Sequence, residues 1–293
     1  MFGIKTKLLQ FYFNFLDTHD WKCLTWEKSK LRYYRGTGKV LNYSNPQGLN
    51  EKLFWLTRYW RDPRKTICAD KYLVRNYLKQ QGLQDLLVPL LGVYDEAQQI
   101  DFSSLPNQFV LKCNHGCAYN IICADKSQLK IDSVIKQLNQ WLQEDYSNKF
   151  QEIHYRDIKR RIVCEQLIGK EAPIEYQYWC VNGVPDSILV CQKSFDGNYY
   201  SWSYSLTGVQ LFERFDEEKN ERLELSSRMD EMVEYAKKLA KPFPFVRVDF
   251  YAVEDKVYFA EMTFTPSANI LGRYKPSFIE RLGNHLVLPA KNY

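Results

Sequence analysis

The chain has 293 residues, 45% of them hydrophobic and 26% charged, a balance that supports a packed core and excludes collagen-like and disordered classes. A formal net charge of +5, with Lys and Arg dispersed rather than blocked, carries no nucleic-acid footprint but is compatible with an anionic ligand. The aromatic share of 15% suits β-rich structure or aromatic-walled clefts.

Residues 1–45 form an aromatic, basic leader. Its start, MFGIKTKLLQFYFNFLDTHDWK, has lysines ahead of apolar residues but no small-residue cleavage site, and Lys7, Gln10 and Asn14 interrupt the apolar run. It reads as a helix packed on its own domain, with an amphipathic helix on a membrane face or a partner as the alternative. No stretch reaches the ~18 continuous apolar residues of a membrane span. After the turn-rich YSNPQG, the runs NEKLFWLTRYW and CADKYLVRNYLKQQG read as helices, the second capped by Gly82. LLVPLLGVYD follows as a short buried strand with a Pro break.

From Asn107 the pattern changes. FVLKCN and NIICAD read as short strands around a polar turn. SVIKQLNQWLQEDY is an amphipathic helix with apolar positions at Val134, Leu138, Trp141 and Leu142. RRIVCEQLI is a strand, and YQYWCVNGVPDSILVCQK gives two strands around Asn182-Gly183, the strongest hairpin signal in the chain. YSWSYSLTGVQLFE suggests a second hairpin. SSRMDEMVEYAKKLAKPF is a helix with a stripe at Met229, Met232, Val233, Ala236 and Leu239, ended by Pro242. FVRVDFY and VYFAEMTF close a final hairpin. Helices interleaved with hairpins predict an α+β class with mixed or antiparallel sheets, not a doubly wound fold.

Eight cysteines (23, 68, 113, 117, 123, 164, 180 and 191) include several inside apolar strand runs, and no CxxC occurs. A reduced, cytosolic thiol set follows, without a zinc site.

The final hairpin carries the clearest chemistry. Alternation puts Arg247, Asp249 and Tyr251 on one face of the first strand, and Glu261 and Thr263 on one face of the second. With a turn at Glu254–Lys256, Asp249 and Glu261 lie opposite each other, where like charges repel. A hard divalent cation such as Mg²⁺ relieves that repulsion. The bland alternative is two solvated acids on an edge hairpin; the arginine and Thr263 on the same face favour the metal. Lys112 lies on the strand face opposite Phe109, Leu111 and Cys113, either snorkelling to solvent or aimed at phosphate. Asp70 reads as a helix N-cap that leaves Lys71 in a first turn, where the dipole disfavours a cation and a bound phosphate would offset it. No GxGxxG, GxxxxGK[ST] or GxSxG motif is present. His115 and Cys117 lack an orienting third group.

Together LNEKLFWL, ADKYLVR, LLGVYD, LPNQFVLKCNHG, RIVCEQLI, EYQYWCVNG, RVDFY and YFAEMTFTP, running from about Pro46 to Pro289, resemble the TupA-like ATP-grasp family linked to teichuronopeptide and surface polysaccharide synthesis. The resemblance implies an α+β ATP-grasp fold in which two α+β subdomains clasp ATP behind a helical N-terminal extension. Its division would be 1–45 extension, 46–106 N-terminal subdomain, 107–168 lid subdomain, and 169–293 C-terminal subdomain with the metal site.

It further implies that Lys71 and Lys112 contact nucleotide phosphates. The turn Asn114 to Asn120, with His115, Gly116 and Cys117, would cover the triphosphate with backbone N–H groups. Glu165, Gln166, Leu167 and Ile168 would form the linker whose backbone reads adenine, and Glu175 would bind the ribose. Asp249, Glu261 and Thr263 would hold Mg²⁺, and Arg247 would stabilise the transferring phosphoryl group. Four positions depart from the family pattern: Thr263 replaces an Asn, Pro266-Ser267 replaces Pro-Gly, the loop reads HGCA for HGSG, and Gln177 stands where a lysine is frequent.

The implied function is an ATP-dependent carboxylate–amine ligase working through an acyl phosphate, with ATP and Mg²⁺ as cofactors. Its partners would be a carboxylate, such as a glycan uronic acid, and an amine or amino acid. The alternatives are a glycosyltransferase of polysaccharide assembly and a non-catalytic nucleotide-binding scaffold. Arg273 and Asn269, beyond the metal site, are candidate substrate-facing residues. The expected location is the cytoplasm, with peripheral contact at the inner membrane face through the leader as an extension of that reading.

Overall fold

The computed structural model describes residues 11–292 apart from 13, 17, 19–21, 170–171, 194–198 and 218–222. The first ten residues of the leader, and with them most of the expected amphipathic segment, lie outside the described residues. Among the described residues no helix is long and apolar enough to cross a membrane.

Helices α1 (Thr25–Thr37), α2 (Gly48–Tyr59), α3 (Pro63–Ala69) and α4 (Val74–Gln80) precede the first strand. The single helix expected over CADKYLVRNYLKQQG is two. Cys68 and Ala69 finish α3, which starts on Pro63 behind an Asp62 cap, and Asp70 breaks the run. The Asp70 carboxylate accepts from the Tyr72 and Leu73 N–H groups, so it caps the turn that leads into α4.

The first sheet contains β1 (Leu90–Tyr94), β2 (Phe109–Cys113), β3 (Asn120–Cys123) and β4 (Ile162–Gln166) in the order β1-β4-β2-β3, with every pairing antiparallel. Phe109, Leu111 and Cys113 point into a core shared with Val134, Leu138 and Leu142 of α5 (Ile131–Gln143). Burying each of the larger side chains stabilises the layer by about 1.5–3 kcal/mol. Period-2 alternation then turns Lys112 to the other face. The short helix α6 (Tyr146–Lys149) adds Tyr146 to the same core.

The second sheet contains β5 (Ile174–Val181), β6 (Val184–Lys193), β7 (Tyr199–Ser205), β8 (Phe245–Val253) and β9 (Lys256–Thr263) in the order β7-β6-β5-β8-β9, again antiparallel. One face packs Tyr176, Tyr178, Val248 and Phe250 with Met232, Ala236 and Leu239 of α7 (Met229–Ala240). A last helix, α8 (Pro276–His285), adds Phe278 and Leu282 to that core. The second expected hairpin is present but short. β7 pairs with β6 on one side, and after a turn the chain returns on β7 through the antiparallel bridge Tyr204↔Gln210, with Ser205 N–H on the Val209 carbonyl and Leu211 N–H on the Ser203 carbonyl, each at 2.8 Å.

Asn182 and Gly183 both hold positive φ (51° and 78°), the requirement of a type I′ turn between antiparallel strands. Asn182 also donates to the His285 carbonyl and accepts from Val287 N–H, which ties the turn to the end of α8. A Cβ at Gly183 would sit 2.8 Å from the Lys241 carbonyl oxygen. Gly183→Ala therefore combines a left-handed strain with a backbone clash, and should lower stability by roughly 1–3 kcal/mol, read as a lower thermal midpoint.

Candidate active site

The polar face of the second sheet gathers four side chains. Asp249 and Glu261 are register partners, as are Arg247 and Thr263. This alignment arises differently from expectation. The turn is only Glu254–Asp255, because Val253 pairs with Lys256; a bulge between Asp249 and Phe250, opposite the extra residue Ala260, restores the offset. Arg247 Nε donates to Asp249 Oδ1 at 2.8 Å and Nη2 to Oδ2 at 2.5 Å, a bidentate fork. Nη2 also reaches Thr263 Oγ1 at 3.2 Å and Glu261 Oε1 at 3.4 Å, while Thr263 donates to Glu261 Oε1 at 2.9 Å.

Asp249 is 0% exposed. Burial pushes its carboxyl up, the Glu175 and Glu261 charges add to the rise, and the charge and hydrogen bonds of Arg247 oppose it. Burial also raises Glu261, but Lys71, Arg247, the Thr263 hydrogen bond and Lys112 outweigh it and hold that carboxyl below its ordinary range. Among the described residues no three His, Cys, Asp or Glu side chains form a metal cluster. Two carboxylates and a hydroxyl are nevertheless a hard oxygen set of the size Mg²⁺ uses when phosphates and waters complete its shell.

A cavity of about 250 Å³ opens between the sheets beside this cluster. Its walls include Lys71, Arg75, Lys112, Glu165, Glu175, Lys193, Tyr251, Glu261 and the loop Cys117–Asn120. Lys112 donates to Glu165 Oε2 at 2.7 Å, and Arg75 to Glu165 Oε1 at 3.1 Å and to the Val88 carbonyl at 3.0 Å. Lys71 donates to the Gly116 carbonyl at 2.5 Å. Both lysines thus line the cavity while held by internal acceptors.

The base of the loop is knotted by Asn114, which is fully buried. Its Nδ2 donates to Asp70 Oδ1 and to the Lys159 carbonyl, each at 2.9 Å, and its Oδ1 accepts from Arg161 N–H at 2.7 Å. One side chain therefore couples the loop to the segment carrying Lys71. His115 is buried with Nε2 3.0 Å from the Trp141 carbonyl, so it engages α5 and not Cys117. Burial, with Arg160 next in effect, lowers its ring to about 4 and keeps it neutral near pH 7. Ala118 has φ 61° and Ser267 φ 47°. These are the two positions where this chain departs from a glycine in the family pattern.

Gln166 uses its N–H on the Pro89 carbonyl. Leu167 and Ile168 follow in the connection from β4 to β5, between the two sheets. A further cavity of about 440 Å³ lies on the other side of Arg247, lined by Gln177, Trp179, Tyr199, Arg214, Ser267 and Arg273 among others. Arg273 is exposed there. Asn269 is not a wall residue, contrary to expectation: it is fully buried and donates to Thr57 Oγ1 at 3.0 Å.

Sequence reasoning missed Arg75, Lys193 and Arg214. Arg75 stands four residues after Lys71, a spacing that shares a helical face and could have flagged it. Arg214 gave no signal: its fork onto Asp216, with both bonds at 3.0 Å, belongs to an irregular segment.

A family model described as TupA-like ATPgrasp matches residues 51–287. Among solved structures, the chain is similar to D-alanine–D-alanine ligase from Bacillus anthracis complexed with ATP, at 16% identity and TM-score 0.43 over 75% of this chain and 65% of that one. It is also similar to the ATP-grasp ligase PsnB complexed with minimal precursor, at 13% identity and TM-score 0.43 over 78% of this chain and 62% of that one. N5-carboxyaminoimidazole synthase from Aspergillus clavatus matches at 12% identity and TM-score 0.42, over 68% and 44%. The chain spans less than two thirds of the length of each of these. No protein of curated function matches the sequence.

The left-handed backbone at Ala118 carries a strain that a glycine would not. Ala118→Gly should raise stability by up to about 1 kcal/mol despite the added chain entropy, measured as a higher urea midpoint at unchanged slope.

Proposed function

The chain belongs to the TupA-like ATP-grasp family, and on that premise we propose that it is an ATP-dependent carboxylate–amine ligase. The observation that carries the reading is the juxtaposition of Lys71, Lys112 and Glu261 around one cavity, with Arg247 and Asp249 directly behind Glu261.

In this reading the triphosphate lies along the cavity. Lys112 exchanges Glu165 for phosphate oxygens, and Arg75 keeps the released Glu165 paired. Lys71 serves the same end beside the loop, whose N–H groups close over the phosphates. The backbone of Glu165–Ile168 borders adenine, and Glu175 accepts from the ribose hydroxyls. Asp249, Glu261 and Thr263 would hold Mg²⁺, which neutralises charge between the phosphates. Arg247 turns part of its fork toward the transferring group, where a planar, permanent cation stabilises developing charge.

An oxygen of the acceptor carboxylate attacks the γ-phosphorus, the β–γ bridging bond breaks, and ADP leaves. The amine then attacks the acyl carbon and expels inorganic phosphate, giving an amide. No protein nucleophile is needed, because positioning and charge neutralisation supply the rate. The cavity beyond Arg247, with Arg214 and Arg273 on its wall, suits an anionic acceptor such as a uronic acid of a surface glycan or its precursor. The same proposal extends to a cytoplasmic location, where ATP is supplied.

A screen of amino acids against uronic-acid glycans with MgATP should give ADP release and an amide product identified by mass. Asp249→Asn and Lys112→Met should each lower kcat at least ~100-fold. Full turnover in Asp249→Asn, or stabilisation by UDP-sugars but not by ATP, would contradict the proposal. ATP binding without ADP release across all acceptors would favour a non-catalytic scaffold.

A further inference from the structure

A cavity of about 400 Å³ lies outside the nucleotide cleft, between α3 and the segment 153–157. One wall is apolar, with Trp60, Ile67 and Ile153; the other carries Lys65, His154 and Arg156. Lys65 and His154 are each only 5% exposed. The one hydrogen bond of Lys65 Nζ among the described residues is a 3.4 Å contact to the Trp60 carbonyl, at the weak limit of the interaction. Among the described residues, neither ring nitrogen of His154 has a hydrogen-bond partner, and neither has Arg156 Nε. Buried donors of this kind are normally satisfied, so a cluster of them on one cavity wall marks missing acceptors.

The nearby carboxylates do not supply them. Asp62 is committed to the backbone N–H and guanidinium of Arg64, and Asp157 is exposed at the rim. Arg61 adds a further cation to the lining, which disfavours a metal ion.

We propose that this cavity binds a small organic anion, whose carboxylate or phosphate is held by Lys65, His154 and Arg156 while a flat apolar body lies against Trp60 and Ile67. Trp60 already presents its ring to the Lys65 ammonium, 5.4 Å from the ring centroid, so head and body sites are adjacent. Burial lowers the Lys65 ammonium to about 8, and an anion at hydrogen-bond distance would raise it again. None of these residues has a role in the ligase reaction above. The cavity also joins two segments that converge on Asn114: α3 continues into Asp70, and residues 153–157 continue into Lys159 and Arg161.

The test uses the full chain with the cleft occupied by Mg²⁺ and a non-hydrolysable ATP analogue, so that phosphate-binding lysines there are not available. Benzoate and inorganic phosphate are titrated while the ring signals of isotope-labelled histidines are followed by NMR. With four histidines in the chain, His154 is assigned by its loss in His154→Gln. Benzoate should shift the His154 signals saturably, more tightly than phosphate, and at least tenfold more weakly in Lys65→Met. If Lys65→Met does not fold, the half-buried Arg156→Gln should show the same weakening. No shift with either probe, binding of phosphate without benzoate, or binding unchanged in these variants would overturn the proposal. Failure of the ATP analogue to bind would count against the nucleotide reading alone, since His154 reports its own cavity.

Discussion

The polar side of this fold depends on one buried ion pair. Asp249 lies out of contact with solvent on a strand facing another acid, a position in which burial alone drives a carboxyl toward its neutral form. The bidentate fork of Arg247 is what makes its charge tolerable, and the same guanidinium reaches Thr263 and Glu261. A buried pair of this kind is weak support for stability but costly to break, since either partner alone is an uncompensated charge. The surrounding architecture serves that constraint. The apolar face of the second sheet, packed on α7, fixes the strand, and the bulge opposite Ala260 brings Glu261 into line.

The facing sheet repeats the logic with opposite sign. Lys112 and Arg75 share the two oxygens of Glu165, and Lys71 rests on the Gly116 carbonyl. The cations lining the cleft are thus kept from repelling one another by internal acceptors. Asn114 adds geometric coupling: three hydrogen bonds join the loop to the Lys71 segment and to the irregular segment that leads into β4. Charge pairing and loop position are set by the same few residues.

Much of this was legible in the chain. Alternation in FVLKC placed Lys112 away from Phe109 and Leu111, and alternation in FVRVDFY and AEMT placed the four side chains of the cluster on one face. Asn182-Gly183 marked its turn because positive φ is a local property. What failed was non-local. The pairing of Asp249 with Glu261 was anticipated through a three-residue turn, whereas the extra residue sits in a bulge that periodicity cannot see. The partnership of Glu165 with Arg75 spans 90 residues, and no window of sequence contains it. Asn269 looked like a site residue from its place after the last strand, but the left-handed run through Ser267, Ala268 and Asn269 turns it inward onto Thr57. Ala118 and Ser267 show a further limit: the loss of a family glycine is visible in sequence, while retention of the glycine's backbone conformation is visible only in the fold.

The most direct measurement is the dissociation constant of MgATP in three proteins, by calorimetry at fixed ionic strength. If Lys112 exchanges Glu165 for phosphate, removing the competing charge in Glu165→Gln should tighten binding, and Lys112→Met should weaken it at least tenfold. Equal affinities in all three, or weaker binding in Glu165→Gln than in Lys112→Met, would contradict a cleft built to receive a triphosphate in this way.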